Sequence, residues 1–381
     1  MSEWKTVRLG DYITEYSVKN KSNEDIPVYS VTNTQGFCTE YFSKDVSSKD
    51  KSNYKIVPRG CFAYNPSRIN VGSVDWQRYE DRVIVSPLYN VFKVSPELEN
   101  QYLYYFLKSD IGHTLITSKA EGSVRDNLKI TMLAEFSIPL PHLEEQKHIA
   151  AMLDKCTALV TKYKLMLEKY DTLIKSRFIE MFGDPVSNPM GWEVKKLGNI
   201  CTKISDGVHA KPEYTSTGKP FISVVNINSG KLLFDDCKYV SEEAYEKMIK
   251  SIHPEKGDVL YTKVGATYGI PALVDTDKDF CLYVSVALLK PKSEIVNSQF
   301  LTISMAQPYI KNQADKRIKG IGVPDLHLNQ IREFDILLPP LELQNQFKDF
   351  VQQIDKSKFA VQKSLEKAET LYKSLMQRYF A

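Results

Sequence analysis

Six stretches of this 381-residue chain gather Asn, Gln, Ser and Thr, or Arg, Lys and His, or both, at short spacing. In the first half these are Asn33 with Gln35, then Asn65, Ser67, Arg68 and Asn70, then Lys119, Ser123 and Arg125. In the second half they are His209 with Lys211, then Lys263, Thr267 and Tyr268, then Lys316, Arg317 and Lys319. Arg and Lys donate to guanine edges and to phosphates, Asn and Gln pair with adenine, and Ser and Thr adapt to either. Such mixtures suit a nucleic-acid surface. The same residue types also build ordinary exposed turns, so each residue by itself has two readings.

Catalytic patterns are missing. Gly218-Lys219-Pro220 lacks the hydroxyl residue and the earlier glycine of a phosphate loop, and no GxGxxG or HExxH occurs. Asn65-Pro66-Ser67-Arg68 shares Asn-Pro with the motif of amino-methyltransferases but lacks the second proline and the aromatic that would stack on a flipped base. Asp235-Asp236 and Glu242-Glu243 read as solvated pairs. The histidines show no ligand or triad spacing, so neither a metal site nor a catalytic residue is assigned. The chain reads as a binding protein without its own active site. Two alternatives stand beside that reading: a stand-alone adenine DNA methyltransferase with degenerate motifs, and a two-domain scaffold that binds proteins rather than DNA.

Bulk composition limits the rest. Hydrophobic residues make up 43%, enough for real cores. With 50 Lys and Arg against 47 Asp and Glu, the net charge of +3 says little about partners. A DNA-binding face must come from local clustering. The six cysteines show no CxxC and fit reduced thiols. The sequence contains no run of 18 apolar residues and opens unlike a signal peptide, so a soluble, cytoplasmic protein that makes no membrane contact is expected.

Two stretches must position the candidate loops. Ile149, Leu153, Val160, Leu167 and Ile174 belong to an alternating four-and-three apolar pattern in Leu143–Phe182. Phe347, Val351, Ile354, Val361 and Leu365 repeat it 198 residues later. Lys358 interrupts the second seam, and Phe359 is expected to cover the gap. Each helix of forty residues would reach roughly 60 Å. The flanking blocks repeat as well: Trp4 to Gly10 matches Trp192 to Gly198, Gly60–Tyr64 matches Gly257–Tyr261, and Gln146 matches Gln344. Tyr64–Asn70 and Lys119–Asn127 thereby correspond to Tyr261–Tyr268 and Arg317–Asp325. The expected fold is α+β: two homologous mixed-sheet domains separated by two long α-helices that form an antiparallel coiled coil, with an approximate two-fold axis. Its boundaries are 1–142 for the first domain, 143–182 for the central spacer helix, 183–191 for a Gly- and Pro-rich linker, 192–340 for the second domain and 341–381 for the C-terminal spacer helix.

The order and duplication of these motifs resemble the specificity subunit of type I restriction-modification systems. The duplicated Trp-x4-Leu-Gly opening carries the resemblance, as do Tyr64–Gly72, Asp206–His209 with Lys211-Pro212, Ser176–Pro185 and the run from Gly320 to Gln344. Val208 stands where such chains more often have threonine. The resemblance implies two target recognition domains, each reading one half of a bipartite, asymmetric site on double-stranded DNA. It implies that the paired helices set the gap between the halves. It also implies two modification (methyltransferase) subunits and restriction subunits as partners. S-adenosylmethionine, ATP and Mg would then be bound by those partners, with no cofactor in this chain.

Overall fold

The computed structural model describes residues 4–39, 50–120, 127–318 and 322–380. The chain divides into two compact units. Unit 1 comprises Met1–Met166 with Val361–Ala381, and unit 2 comprises Leu167–Ala360.

Unit 1 runs through β1 (Lys5–Arg8), β2 (Ile13–Glu15), β3 (Ser30–Thr32), β4 (Gly36–Cys38), β5 (Lys55–Pro58), β6 (Phe62–Tyr64), β7 (Val74–Trp76), β8 (Arg82–Val85) and β9 (Asn90–Val94). It continues with α1 (Asn100–Lys108), α2 (Asp110–Ala120), α3 (Ile130–Leu133), β10 (Ser137–Leu140) and the start of α4 (Leu143–Phe182). β1 pairs antiparallel with β10, placing Lys5 opposite Leu140. A four-stranded antiparallel sheet has the order β2-β9-β6-β7. Successive side chains on a strand point to opposite faces. Phe62 and Tyr64 on β6 therefore join the core under α1, whereas Ala63 joins the core formed with β3, β4, β5 and β8.

Unit 2 repeats the plan with β11 (Glu193–Lys196), α5 (Leu197–Ile200), β12 (Cys201–Asp206), β13 (Lys219–Ile222), β14 (Lys238–Val240) and α6 (Glu242–Ile249). β15 (Val259–Thr262), β16 (Pro271–Leu273), β17 (Cys281–Leu282), β18 (Val286–Pro291), α7 (Ser298–Met305) and α8 (Pro308–Asp315) follow, then α9 (Leu328–Arg332), β19 (Asp335–Leu338) and α10 (Leu341–Phe380). β11 pairs with β19, and the four-stranded sheet has the order β12-β18-β15-β16, the same plan as in unit 1. A three-stranded sheet, β14-β13-β17, mixes antiparallel and parallel pairs.

Two repeated details explain why both halves fold alike. Gly60 and Gly257 stand at φ +84° and +95° in the turns before β6 and β15, where a side chain would be strained. Gln146 and Gln344 are fully buried one turn into the long helices. The Gln146 side chain accepts from the Glu99 amide at 2.8 Å and donates to the Glu97 and Pro141 carbonyls at 2.9 Å each. Gln344 accepts from the Asn297 amide at 2.9 Å and donates to the Ile295 and Pro339 carbonyls. Each glutamine ties the entry of a long helix to the loop before α1 or α7.

The two long helices each run through both units. Helix α4 passes from unit 1 to unit 2 after Met166, and α10 passes back after Ala360. Their ends belong to domain cores. In unit 1, Ile149 and Leu153 of α4 share a core with Phe380 of α10, and Tyr105 of α1 lies edge-on to Tyr372 at 6.4 Å. In unit 2, Phe178 and Phe182 of α4 meet Phe347 of α10 with ring centroids 5.6 and 5.4 Å apart. Within each unit the two helices thus pair start against end, which is antiparallel. Of the seam residues, Ile149, Leu153, Phe347, Val351, Val361 and Leu365 are buried, while Val160, Leu167, Ile174 and Ile354 are half-buried.

One expectation for the seam is corrected. Phe359 does not cover the position of Lys358; it is 62% exposed. The Lys358 ammonium is instead neutralised by Asp171 of α4 at 2.5 Å. A short cross-helix ion pair satisfies a lysine in a seam, which an apolar neighbour cannot do.

Candidate nucleic-acid interface

The candidate loops meet in pairs, in the same way in both units. In unit 1 the loop after β6 meets the segment before α3: the Leu128 amide donates to the Pro66 carbonyl at 3.2 Å, and Ser67 Oγ donates to Asn127 Oδ1 at 2.5 Å. In unit 2 the loop after β15 meets the segment before α9: the Leu326 amide donates to the Lys263 carbonyl at 2.8 Å, and the Gly265 amide to the Pro324 carbonyl at 2.9 Å. Pro66 and Lys263 are repeat partners, as are Leu128 and Leu326. The stitching is therefore duplicated, while the side chains on it differ.

The tyrosines beneath these loops show what such a difference does. Tyr64 and Tyr261 are fully buried at equivalent strand ends, and burial pushes both phenols up. The Tyr64 hydroxyl donates to the Leu128 carbonyl at 3.0 Å and accepts from Asn90 at 2.9 Å. In unit 2 the residue opposite Tyr261 is Ala287, and the Tyr261 hydroxyl has no hydrogen-bond partner among the described residues. Tyr64→Phe is expected to cost about 1–2 kcal/mol, whereas Tyr261→Phe is expected to be neutral or slightly stabilising. Thermal unfolding of the two variants checks this contrast.

Several candidates present their side chains to solvent. Asn33 and Gln35 are exposed in the β3–β4 turn, Ser67 and Arg68 are exposed after β6, and Asn65 and Asn70 are half-buried there. His209, Lys211, Thr267 and Lys316 are exposed in unit 2. His209 Nε2 lies 3.5 Å from Asp206, and the Lys211 ammonium lies 5.9 Å from the Tyr214 ring centroid. Ser123, Arg125 and Lys319 lie outside the described residues.

Other candidates are held by the protein itself. Lys263 is not an exposed donor: it is 5% exposed, with its ammonium 3.3 Å from Asp206 and 3.5 Å from Asp325. Arg317 donates to the Gln313 and Glu333 carbonyls at 2.8 and 3.0 Å, and its guanidinium lies 5.3 Å from the Phe334 ring centroid. The Tyr268 hydroxyl donates to Asp315, and the Lys311 ammonium lies over its ring at 3.6 Å. Lys119 is exposed but ion-paired with Glu135 at 2.7 Å. Donors engaged in this way are not available for base edges without first breaking internal bonds. Lys263, Arg317 and Tyr268, named above as candidate contacts, thus turn their donors onto other residues of unit 2.

Sequence reasoning missed a cation–aromatic cluster in unit 1. Arg78 lies over Trp76 at 4.6 Å, near Tyr79 and Tyr104, and pairs with the buried carboxylate of Asp75. Lys108 of α1 donates to the Gly72 and Asn33 carbonyls and so clips the β3–β4 turn to the turn that precedes β7. Burial pushes the Asp75 carboxyl up against the pull of Arg78, and it pushes the Lys108 ammonium down against the pull of Asp75. Beside this cluster an open cleft of about 250 Å³ is lined by Tyr29, Gln35, Phe37, Cys38, Thr39 and Tyr79. The cation–aromatic spacing of Trp76, Arg78 and Tyr79 was the available signal.

Among the described residues, no group of three or more His, Cys, Asp or Glu could hold a metal ion, and no helix is long and apolar enough to cross a membrane. The cysteines are free thiols.

Comparison with known proteins agrees with the duplicated plan. The family described as the type I restriction modification DNA specificity domain matches residues 1–168 and again 189–369. The chain is 24% identical to the type I restriction enzyme MjaVIII specificity subunit of Methanocaldococcus jannaschii, over 98% of this chain and 91% of that protein. It is 23% identical to the type I restriction enzyme EcoKI specificity subunit of Escherichia coli, over 73% of this chain and 64% of that protein. In fold it is similar to the S subunit of a type I restriction-modification system from M. genitalium, with a TM-score of 0.62, 15% identity and coverage of 99% and 96%. It is similar as well to a chain from a structure of complex assembly in a type I R-M system, with a TM-score of 0.57, 19% identity and coverage of 100% and 98%. Matched in both halves, the chain belongs to the family of type I restriction modification DNA specificity domains and carries the domain twice.

Proposed function

We propose that this chain is the non-catalytic, sequence-specific DNA-recognition subunit of a type I restriction-modification complex. Each unit reads one half of a bipartite, asymmetric site on double-stranded DNA. Two modification subunits methylate the site and restriction subunits cleave unmodified DNA. S-adenosylmethionine, ATP and Mg act in those partners. One observation carries the reading: the same pair of loops is stitched together in both units, yet bears different side chains in each. Ser67 and Asn127 stand at that junction in unit 1, and Lys263 and Asp325 stand at it in unit 2. A repeated frame with divergent reading loops is what two half-sites of different sequence require. The long helices, common to both units, are the spacer between the readers.

The test is DNA binding by the chain assembled with its modification subunits. Binding is expected to weaken as salt rises and to depend on both half-sites. Arg68→Ala is expected to cost roughly 1–3 kcal/mol at the first half-site and to leave discrimination at the second intact. Equal loss at both half-sites, or binding that ignores sequence, contradicts the proposal.

A further inference from the structure

Lys263 is a buried cation beneath a surface of loops. Its side chain is 6% exposed, and the two carboxylates facing it come from separate parts of unit 2. Asp206 ends β12 and leads into the loop of His209 and Lys211. Asp325 lies in the segment between α8 and α9. Lys263 itself opens the loop of Thr267 and Tyr268. Its amide donates to the Ser285 carbonyl at 3.0 Å, and its carbonyl accepts from Leu326, so its backbone is fixed on both sides. Three loops thus converge on one ammonium group. His209 is the other titratable group facing Asp206, at 3.5 Å, and it is largely exposed. In unit 1 the corresponding junction is closed by the neutral Ser67–Asn127 bond instead.

On the functional reading above, we propose that Lys263 is a positioning residue for the second half-site: it does not touch DNA, and it sets where three reading loops stand relative to one another. A partly buried charge that loses its partner is strongly unfavourable. Without the ammonium, the Asp206 and Asp325 carboxylates repel each other and the loops that carry them move apart. The first half-site does not share this dependence, because Lys263, Asp206 and Asp325 all belong to unit 2.

The test uses the chain assembled with its modification subunits and three duplexes: the cognate site and two sites with one half scrambled. Affinities are measured across a salt series for Lys263→Met and for Asp325→Asn, a milder change at a half-exposed carboxylate. Both variants are expected to lose discrimination at the second half-site by about tenfold, the size of one lost base contact. Discrimination at the first half-site and the slope of log K against log [salt] are expected to stay as in the unaltered complex. A slope for Lys263→Met that is flatter by about 0.9 means a direct phosphate contact and overturns the proposal. Unchanged second-half discrimination in Asp325→Asn overturns it even where Lys263→Met fails to fold. Absence of any sequence preference in the unaltered complex overturns the functional reading itself and is distinguishable from both.

Discussion

Truncating Phe347 to alanine is expected to destabilise unit 2 by about 3–5 kcal/mol, the usual result of emptying a buried phenylalanine site. Phe347 is fully buried at the start of α10, and its ring packs against Phe178 and Phe182 near the end of α4. Phe182 in turn packs edge-on against Phe300 of α7 at 4.9 Å. Removing the Phe347 ring leaves a cavity where two long helices and the domain core meet. Leu173→Ala on α4, where the side chain is 44% exposed, serves as the comparison and is expected to change stability by about 0.5 kcal/mol or less. Thermal or denaturant unfolding of both variants decides the matter. Similar small losses would mean that the helix ends lie against unit 2 without being part of its core.

Deleting one heptad from each long helix is expected to shorten the gap in the recognised site and leave both half-sites unchanged. The segments are Lys164–Tyr170 of α4 and Gln362–Ala368 of α10. Lys164, the first residue of one segment, pairs at 3.0 Å in unit 1 with Glu369, the residue just after the other. A whole heptad keeps the seam in phase. Seven residues span about 10 Å of helix, equal to about three base pairs at 3.4 Å each. The readout is the methylated motif produced by the shortened chain with its modification subunits. Altered half-sites with an unchanged gap contradict a spacer role for the helices.

Much of the frame was legible because it is local or repeated. The apolar spacing of Leu143–Phe182 and its copy 198 residues later marks two helices that the structure contains as α4 and α10. The repeat of Gly60 in Gly257 and of Gln146 in Gln344 reflects a left-handed turn and a buried hydrogen-bond hub needed in both units. Side chains whose state depends on distant partners were not legible. Lys263 sits among Gly, Ala and Thr and reads as a loop cation, yet its carboxylate partners lie at Asp206 and Asp325, far away in sequence. Arg317 reads as part of a basic run, yet its donors meet carbonyls on α8 and beyond α9. The Trp76, Arg78 and Lys108 cluster arises only when α1 packs on β7. For the same reason Phe359 was read as a cover for Lys358, where the true partner is Asp171 on another helix.

Genome-wide mapping of methylated bases, in a host carrying this system and in the same host with this chain deleted, tests the central claim most directly. The account predicts one asymmetric motif that disappears with the chain, made of two specific half-sites separated by a non-specific gap of fixed length. A single continuous motif, or a methylation pattern that survives deletion of the chain, would contradict it.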